Sequence, residues 1–206
     1  MTGLSLSIVT PVIRAGTLRR MLSQLAPQLT PRDEVLIVGD GPQPECRKVV
    51  ESFGLDNLRY WDMIPAPRNW GNPQRNEAIG KARGTHLVFI DDDDQVDPKG
   101  LETIRSAVSL APGHPHMFRM LYQGRPIWSS PDVLCGNVSG QMFVPPNVSG
   151  RLGTWNRDYA ADFNFIRTTL MLYPEGYGAV VWREEMPIVQ GLAGQDSPEA
   201  IASRTP

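Results

Sequence analysis

The chain has 206 residues, with 20 Lys and Arg against 22 Asp and Glu and a formal net charge of −2. This length favours one domain with appended loops over two full cores. The near balance of charge argues against a protein that binds nucleic acid or an anionic membrane mainly by electrostatic attraction. With 41% hydrophobic and 20% charged residues, the composition disfavours disorder and coiled coil.

Neither a disulfide framework nor a targeting segment is indicated. Two cysteines, Cys46 and Cys135, are too few and too far apart for a disulfide framework or a zinc knuckle. The amino terminus lacks a basic stretch followed by an apolar run, and no window approaches the roughly 18 apolar residues of a transmembrane helix. We therefore expect a cytoplasmic protein without a transmembrane segment.

The first half of the chain alternates between predicted strands and predicted helices. Short apolar runs predict strands at 4–10, 34–38, 58–61 and 87–90. Apolar residues at helical spacing predict helices at 18–25, through 49–53 and through 101–108, the first with Thr17 as its cap. A proline that can open a helix predicts another from Asn72, as its cap, to about 82. This alternation predicts an α/β fold with a mainly parallel sheet.

The second half has a different pattern. Short extended pieces at 116–122, 127–129 and 140–144, with a Gln123-Gly124 turn, predict antiparallel hairpins. One helix is predicted from about Ala161 to Leu170, followed by an extended segment at 179–182. The residues from 193 onward show no periodicity, and we expect a flexible tail at 193–206.

Polar side chains gather where the predicted parallel strands end. Thr10, Asp40 and Asp91 all occupy that edge, which is where open α/β sheets bind ligands. Asp91 begins a run of four aspartates, whose mutual repulsion calls for solvent or a cation. A solvated turn is one interpretation. The other is that Asp91 and Asp93 point to one spot and hold Mg²⁺ or Mn²⁺ together with substrate phosphates, which suits a nucleoside diphosphate.

Four segments carry a family resemblance, and they are Leu6–Pro11, Glu34–Gly41, Arg75–Ile79 with Ala82–Gly84, and Phe89–Asp94. In this order and spacing they resemble the family-two glycosyltransferases over residues 4–110, and more loosely over 139–167. The last segment looks like the family's Asp-any-Asp motif. The resemblance implies one glycosyltransferase-A (Rossmann-like) domain over 1–206, with a mostly parallel sheet flanked by helices. Its nucleotide-sugar half would be 1–110, and its short antiparallel acceptor-side half 111–192.

The resemblance also implies roles for individual residues. The implied donor contacts are Thr10, Pro11, Asp40, Arg75, Asp91 and Asp92, with Thr10 and Asp40 against a base that is usually uracil in this family. Asp91 and Asp93 would hold the Mn²⁺ or Mg²⁺ ion. Asp162 resembles the catalytic carboxylate that opens an acceptor-side helix. Taken singly, Thr10 is also explained as a strand terminus, Asp40 as a turn residue and Asp162 as a helix N-terminal charge.

Two departures from the family pattern concern the donor and the metal. Gly39-Asp40-Gly41-Pro42 replaces the common Asp-Asp-Gly-Ser, so one ribose contact is missing. No histidine follows Met117, so we expect aspartate, donor phosphates and water to coordinate the metal. His114 and His116 are either a weak metal site or part of a loop beside a strand. Trp70 and Trp155 either stack on a sugar or base, or pack in a loop or core.

The resemblance thus implies a metal-dependent, inverting transfer of a sugar from a nucleotide-diphosphate donor, a UDP-sugar, to an acceptor hydroxyl. A nucleotidyltransferase is an alternative, although 11–16 makes a poor phosphate loop. A non-catalytic nucleotide-sugar-binding module is another. The acceptor is open among saccharide, lipid, protein and other classes, and the near-neutral charge weighs against nucleic acid. The short second half is compatible with a site completed by a second copy or a partner chain.

Overall fold

The structure of the chain is a computed structural model that describes residues 3–66, 70–122, 125–158 and 160–189. Within these ranges the chain forms two β-sheets and five α-helices. The predicted Gln123-Gly124 turn and the predicted tail at 193–206 lie outside the described residues.

The first sheet contains four parallel strands in the order β3-β2-β1-β4. The strands are β1 (Leu6–Val12), β2 (Glu34–Asp40), β3 (Leu58–Met63) and β4 (His86–Phe89). The helices that follow them are α1 (Ala15–Leu25), α2 (Pro44–Glu51), α3 (Asn72–Ile79) and α4 (Gly100–Leu110). This confirms the predicted α/β fold, and it brings the carboxyl ends of the strands to one edge.

The central strands are buried on both faces, which explains why they read as nearly continuous apolar runs. On one face, Ile8 of β1 packs in a cluster with Leu22 of α1. On the other face, Val9 packs in a second cluster with Phe89 of β4 and Phe165. The sheet therefore lies between two apolar layers.

β1 extends two residues beyond the predicted end at Thr10, because Pro11 does not terminate it. Pro11 pairs in register with Val38 of β2, whereas the pairing of β1 with β4 stops at Val9. The carbonyl of Val9 accepts the N–H of Ile90 on the β4 side. Since strand residues two apart face the same neighbour, the missing N–H of Pro11 falls where β1 has no partner strand.

Two predicted helix caps were wrong, because both helices begin earlier than predicted and both side chains make hydrogen bonds with residues three positions away. α1 begins before Thr17, whose hydroxyl donates to the carbonyl of Arg14 at 3.2 Å. α3 begins at Asn72 itself, after Gly71 in the left-handed conformation with φ of 76°. The side chain of Asn72 accepts a hydrogen bond from Arg75 instead of capping the helix.

The second sheet has mixed strand directions, so the prediction of antiparallel hairpins was correct only in part. Its strands are β5 (Gln95–Val96), β6 (His116–Tyr122), β7 (Arg125–Ile127), β8 (Phe143–Val144) and β9 (Val181–Val189). β7 and β8 run antiparallel to β6, but β9 runs parallel to it. Helix α5 (Ala161–Leu170) lies between β8 and β9 and begins where the sequence predicts. The longest helices in the described ranges have 11 residues, and none could span a bilayer.

Candidate active site

The four aspartates after β4 form a turn instead of extending the strand. The N–H of Asp94 donates to the carbonyl of Asp91 at 3.1 Å, and the N–H of Asp91 donates to the Asp94 carboxylate at 2.8 Å. The alternation of side chains along a strand therefore does not apply here, and each carboxylate has its own surroundings.

Asp91 joins the two halves of the chain. Its carboxylate forms an ion pair with Arg75 of α3, and its Oδ2 accepts a hydrogen bond from Nε2 of Gln141 at 2.9 Å. Gln141 lies in the short 3₁₀ turn Gly140–Met142, which precedes β8. Asp91 is thus held between an arginine from the first half and an amide from the second.

Arg75 is a buried cation with several partners besides Asp91. One guanidinium nitrogen donates to the backbone carbonyl of Trp70 at 2.6 Å and to Oδ1 of Asn72 at 3.2 Å. The guanidinium also lies 4.7 Å from the ring centroid of Trp155, which stacks in turn on Phe165. These contacts fix the position of the positive charge.

The carboxylate of Asp92 is held by hydrogen bonds and an ion pair within the protein. Its Oδ2 accepts the backbone N–H groups of Ile13 and Arg14 at 3.0 and 2.9 Å, and its Oδ1 lies 2.6 Å from the Arg14 guanidinium. Burial raises the pKa of Asp92, and the guanidinium and the Ile13 amide oppose that shift. The same pairing raises the pKa of Arg14, so this arginine stays charged. The carboxylate of Asp92 ties the loop after β1 to the aspartate turn.

Asp93 carries the second carboxylate of the predicted metal pair. Its Oδ2 lies 2.9 Å from the Arg14 guanidinium. Burial raises the pKa of Asp93, Arg14 lowers it, and the negative charge of Asp91 raises it again. Because Asp91 and Asp93 repel each other, a shared cation would relieve both.

The carboxylate pair offers part of what a divalent ion needs. Mg²⁺ commonly binds through one or two carboxylates and completes its shell with phosphate oxygens and water. Asp91 and Asp93 supply oxygen ligands of that kind, so their chemistry suits such an ion, while each carboxylate also pairs with its own arginine and Asp91 alone of the two lines the cleft at this edge of the sheet. Among the described residues, no group of three or more His, Cys, Asp or Glu side chains could hold a metal.

A cleft of about 430 Å³ opens at this edge of the first sheet, a volume within the range of small-molecule sites. Arg75, Asp91 and Asp162 all line it. Asp162 lies in the first turn of α5, where its Oδ1 accepts the N–H of Phe163 at 2.8 Å. The cleft therefore brings together two predicted donor contacts, Arg75 and Asp91, with the predicted catalytic carboxylate of Asp162, and Asp91 is also a predicted metal ligand.

The other predicted site residues are outside the lining of this cleft, as far as the described chain shows. Thr10 is fully buried. Pro11 is half-buried and packs so closely on Gly71 that a Cβ there would lie 2.6 Å from the Pro11 ring. Asp40 ends β2, and its Oδ1 accepts the N–H of Ala66 at 2.6 Å. The contacts of these three residues and of Asp92 with a donor remain predictions.

The open alternatives for the histidines and tryptophans have structural answers. His116 is buried and its Nε2 lies 3.1 Å from the carbonyl of Ala111, so it belongs to the core beside α4. Both tryptophans line the cleft, but Trp155 is buried against Phe165 whereas Trp70 is exposed.

Sequence reasoning missed Arg14 and Gln141, which contact the predicted aspartates. Arg14 gives a weak signal, because it follows β1 at the edge where the aspartates lie. Gln141 gives none, because 50 residues separate it from Asp91.

Comparisons of the sequence identify relatives of the first half. The family model described as glycosyl transferase family 2 matches residues 7–109, which is half of the chain. The uncharacterized glycosyltransferase YibD of Escherichia coli (strain K12) is 26% identical over 100 residues. That match covers 48% of this chain and 29% of YibD.

Comparisons of the structure extend over nearly the whole chain. The structure of S. aureus TarS 1-349 in complex with UDP has a TM-score of 0.70 at 17% identity, covering 97% of this chain and 63% of that one. The mannosyltransferase PcManGT from Pyrobaculum calidifontis, in complex with GDP-Man and Mn²⁺, has a TM-score of 0.68 at 16% identity, covering 91% and 56%. These likenesses show the glycosyltransferase-A fold. The chain spans less than two thirds of the length of these relatives.

Proposed function

The chain belongs to glycosyl transferase family 2, and from that premise we propose that it transfers a sugar from a UDP-sugar donor to an acceptor hydroxyl. The observation that carries the proposal is the shared cleft of Arg75, Asp91 and Asp162. Nucleotide sugars or nucleotides occupy structural neighbours, as UDP or UDP-GlcNAc in TarS and GDP-Man in PcManGT.

Asp162 is the general base in this proposal. Its carboxylate takes the proton of the acceptor hydroxyl while that oxygen attacks the anomeric carbon of the donor. The bond from the anomeric carbon to the diphosphate breaks on the opposite face, so the configuration inverts and UDP leaves with the bonding electron pair. Transfer of a proton by a positioned carboxylate typically contributes about 10² to 10⁴ in rate.

Asp91 and Asp93 are the residues that would hold Mn²⁺ or Mg²⁺ beside the donor. When bound, such an ion neutralises negative charge that develops on the departing diphosphate. Arg75, fixed beside Asp91, adds a permanent positive charge at the same side of the cleft. The positive charges that face the donor diphosphate, those of the ion and of Arg75, are thus separate from the carboxylate of Asp162.

The remaining predicted donor contacts have less direct roles. Thr10, Pro11 and Asp40 lie at the strand ends and shape the nucleotide side of the site. Asp92 supports the site through the loop after β1, because its carboxylate already binds Ile13 and Arg14.

A screen of nucleotide sugars tests the proposal. The chain is incubated with UDP-, GDP-, ADP- and dTDP-sugars with and without Mn²⁺, and release of nucleoside diphosphate is measured. We expect Mn²⁺-dependent release of UDP from one or more UDP-sugars. Release of pyrophosphate from a nucleoside triphosphate with a sugar phosphate would identify a nucleotidyltransferase instead. Binding of UDP-sugar with no turnover, with or without an acceptor mixture, would identify a binding module.

A further inference from the structure

The cleft has an aromatic rim. Trp70 is 60% exposed and Tyr122 is 39% exposed, and both line the cleft. In the described part of the chain, Tyr177 is the remaining exposed aromatic residue, and it lies away from the cleft. Two of the three exposed aromatic residues of the described chain thus line the cleft that Asp162 also lines.

The position of Trp70 is built into the fold. Its backbone has φ of 48°, a left-handed conformation that is uncommon for a bulky residue and costs free energy. The carbonyl of Trp70 accepts a hydrogen bond from Arg75 at 2.6 Å, so the buried arginine holds this backbone in place. Backbone strain of this kind concentrates at ligand sites, and here it places a large ring at the mouth of the cleft.

The charge of the cleft limits what can bind beside this rim. The charged residues of its described lining are Arg75, Asp91, Asp158 and Asp162. Arg75 is paired with Asp91, which leaves the carboxylates of Asp158 and Asp162 on the acceptor side. An acceptor carrying phosphates or carboxylates would be repelled there, whereas hydroxyl groups can donate hydrogen bonds to these oxygens.

We propose that the acceptor is a neutral saccharide whose sugar ring stacks on Trp70 and Tyr122. A pyranose ring presents an apolar C–H face to an aromatic ring and hydroxyl groups at its edges, and the lining offers both kinds of partner. The inference rests on the proposed function, and it names the class of acceptor that the sequence leaves open.

Calorimetric titration of the full chain with defined trisaccharides tests the inference, with Mn²⁺ and UDP present. The neutral probes are maltotriose, cellotriose, N,N′,N″-triacetylchitotriose and mannotriose. Trigalacturonic acid serves as the anionic probe, and a Ser/Thr-containing peptide as the peptide probe. We expect at least one neutral trisaccharide to bind and the other two probes not to bind. Replacing Trp70 with Ala leaves its carbonyl in place for Arg75 and weakens this binding by about tenfold.

Matched variants separate stacking from a structural effect. Trp70→Phe keeps an aromatic face and restores most of the affinity, and Tyr122→Ala weakens binding in the same direction as Trp70→Ala. Tyr177→Ala removes an exposed ring away from the cleft and changes nothing. The affinity for UDP is the same in all four variants.

Three results overturn the inference: no neutral trisaccharide binds, the acidic trisaccharide or the peptide binds instead, or Trp70→Ala binds the trisaccharide as tightly as the natural chain. Failure of the proposed function has a different signature. If a neutral trisaccharide binds through Trp70 but UDP does not bind, the saccharide site is supported and the transferase assignment is wrong.

Discussion

Arg14 holds the carboxylate of Asp92 from two directions: its guanidinium lies 2.6 Å from Oδ1, and its backbone N–H donates to Oδ2 at 2.9 Å. The same guanidinium reaches Asp93 at 2.9 Å. These contacts join the loop after β1 to the turn after β4 as one structural unit. The position of Asp93 therefore depends on Arg14, which precedes it by 79 residues in the sequence.

Replacing Asp92 with Asn is expected to destabilise this unit. The change removes the negative charge beside Arg14, and breaking a buried or partly buried ion pair at one partner is costly. Because Arg14 is partly exposed, we expect the free energy of unfolding to fall by about 2 kcal/mol in urea denaturation.

The exposed ion pair between Glu45 and Lys48 provides the matched control. Glu45→Gln should change the free energy of unfolding by less than about 0.5 kcal/mol. If Asp92→Asn lowers the free energy of unfolding no more than the control does, Asp92 does not stabilise the contact between the loop after β1 and the aspartate turn.

Replacing Asp93 with Asn is expected to remove the effect of metal on nucleotide binding. Calorimetric titration of UDP with and without Mn²⁺ should show tighter binding with Mn²⁺ in the natural chain. In Asp93→Asn that increment should disappear while metal-free binding persists. Equal UDP affinity with and without Mn²⁺ in the natural chain would rule out the metal role of Asp91 and Asp93.

Arg14 should compete with the metal for Asp93, since its guanidinium occupies Oδ2 of that carboxylate. In Arg14→Gln the Mn²⁺ concentration that half-saturates UDP binding should therefore fall. The opposite shift would mean that Arg14 mainly keeps the turn in shape.

Replacing Asp162 with Asn is expected to abolish sugar transfer without weakening donor binding. The amide cannot take a proton from the acceptor, so the turnover number should fall by about 10² to 10⁴. The affinity for UDP should stay the same. Glu45→Gln is the control, because it converts a carboxylate to an amide in an exposed ion pair outside the lining of the cleft. Full activity in Asp162→Asn would refute the assignment of the base.

Acid should destabilise the fold through its buried histidines. Burial, together with the charge of Arg183 and the neighbouring His86 and His114, lowers the pKa of His116 from an ordinary value of 6.5 to about 4, and the hydrogen bond to the Ala111 carbonyl opposes this shift. Burial also lowers the pKa of His86. Between pH 6.5 and 4 the unfolded chain therefore binds more protons than the folded chain. The free energy of unfolding contributed by these histidines is fully present above pH 6.5 and is lost as the pH falls toward 4.

Urea denaturation at a series of pH values measures this loss. His116→Gln should reduce the slope of stability between pH 6.5 and 4, because one of the two contributing histidines is gone. A natural chain whose free energy of unfolding stays constant across that window would contradict the prediction.

Gly84 should tolerate no side chain. A Cβ there would lie 2.6 Å from the backbone nitrogen of Ser7 and 2.7 Å from the backbone carbon of Leu6, so β1 or the segment before β4 would have to move. We expect Gly84→Ala to lower the free energy of unfolding by about 2 kcal/mol. Gly113→Ala is the control, since a Cβ there meets nothing within 4 Å. Equal stability of the two variants would show that the strand adapts.

Local patterns predicted those parts of the fold that local chemistry controls. The apolar spacing of Leu18, Met21, Leu22 and Leu25 predicted the buried face of α1, and all four are fully buried. The same reasoning failed for strand direction in the second sheet. Apolar alternation is the same in parallel and antiparallel strands, so β9 could not be oriented beside β6 from its own residues.

The sequence by itself determined the repeated strand-helix units, the parallel sheet and the edge at which Thr10, Asp40 and Asp91 were expected. These follow from the spacing of apolar residues, which acts over a few positions. Only the tertiary structure decided what each aspartate does: Asp91 meets Gln141 from 50 residues away, and Asp92 meets Arg14 from 78 residues away. Such contacts depend on how a turn aims its side chains and on which distant loops pack beside it, and neither is contained in local spacing.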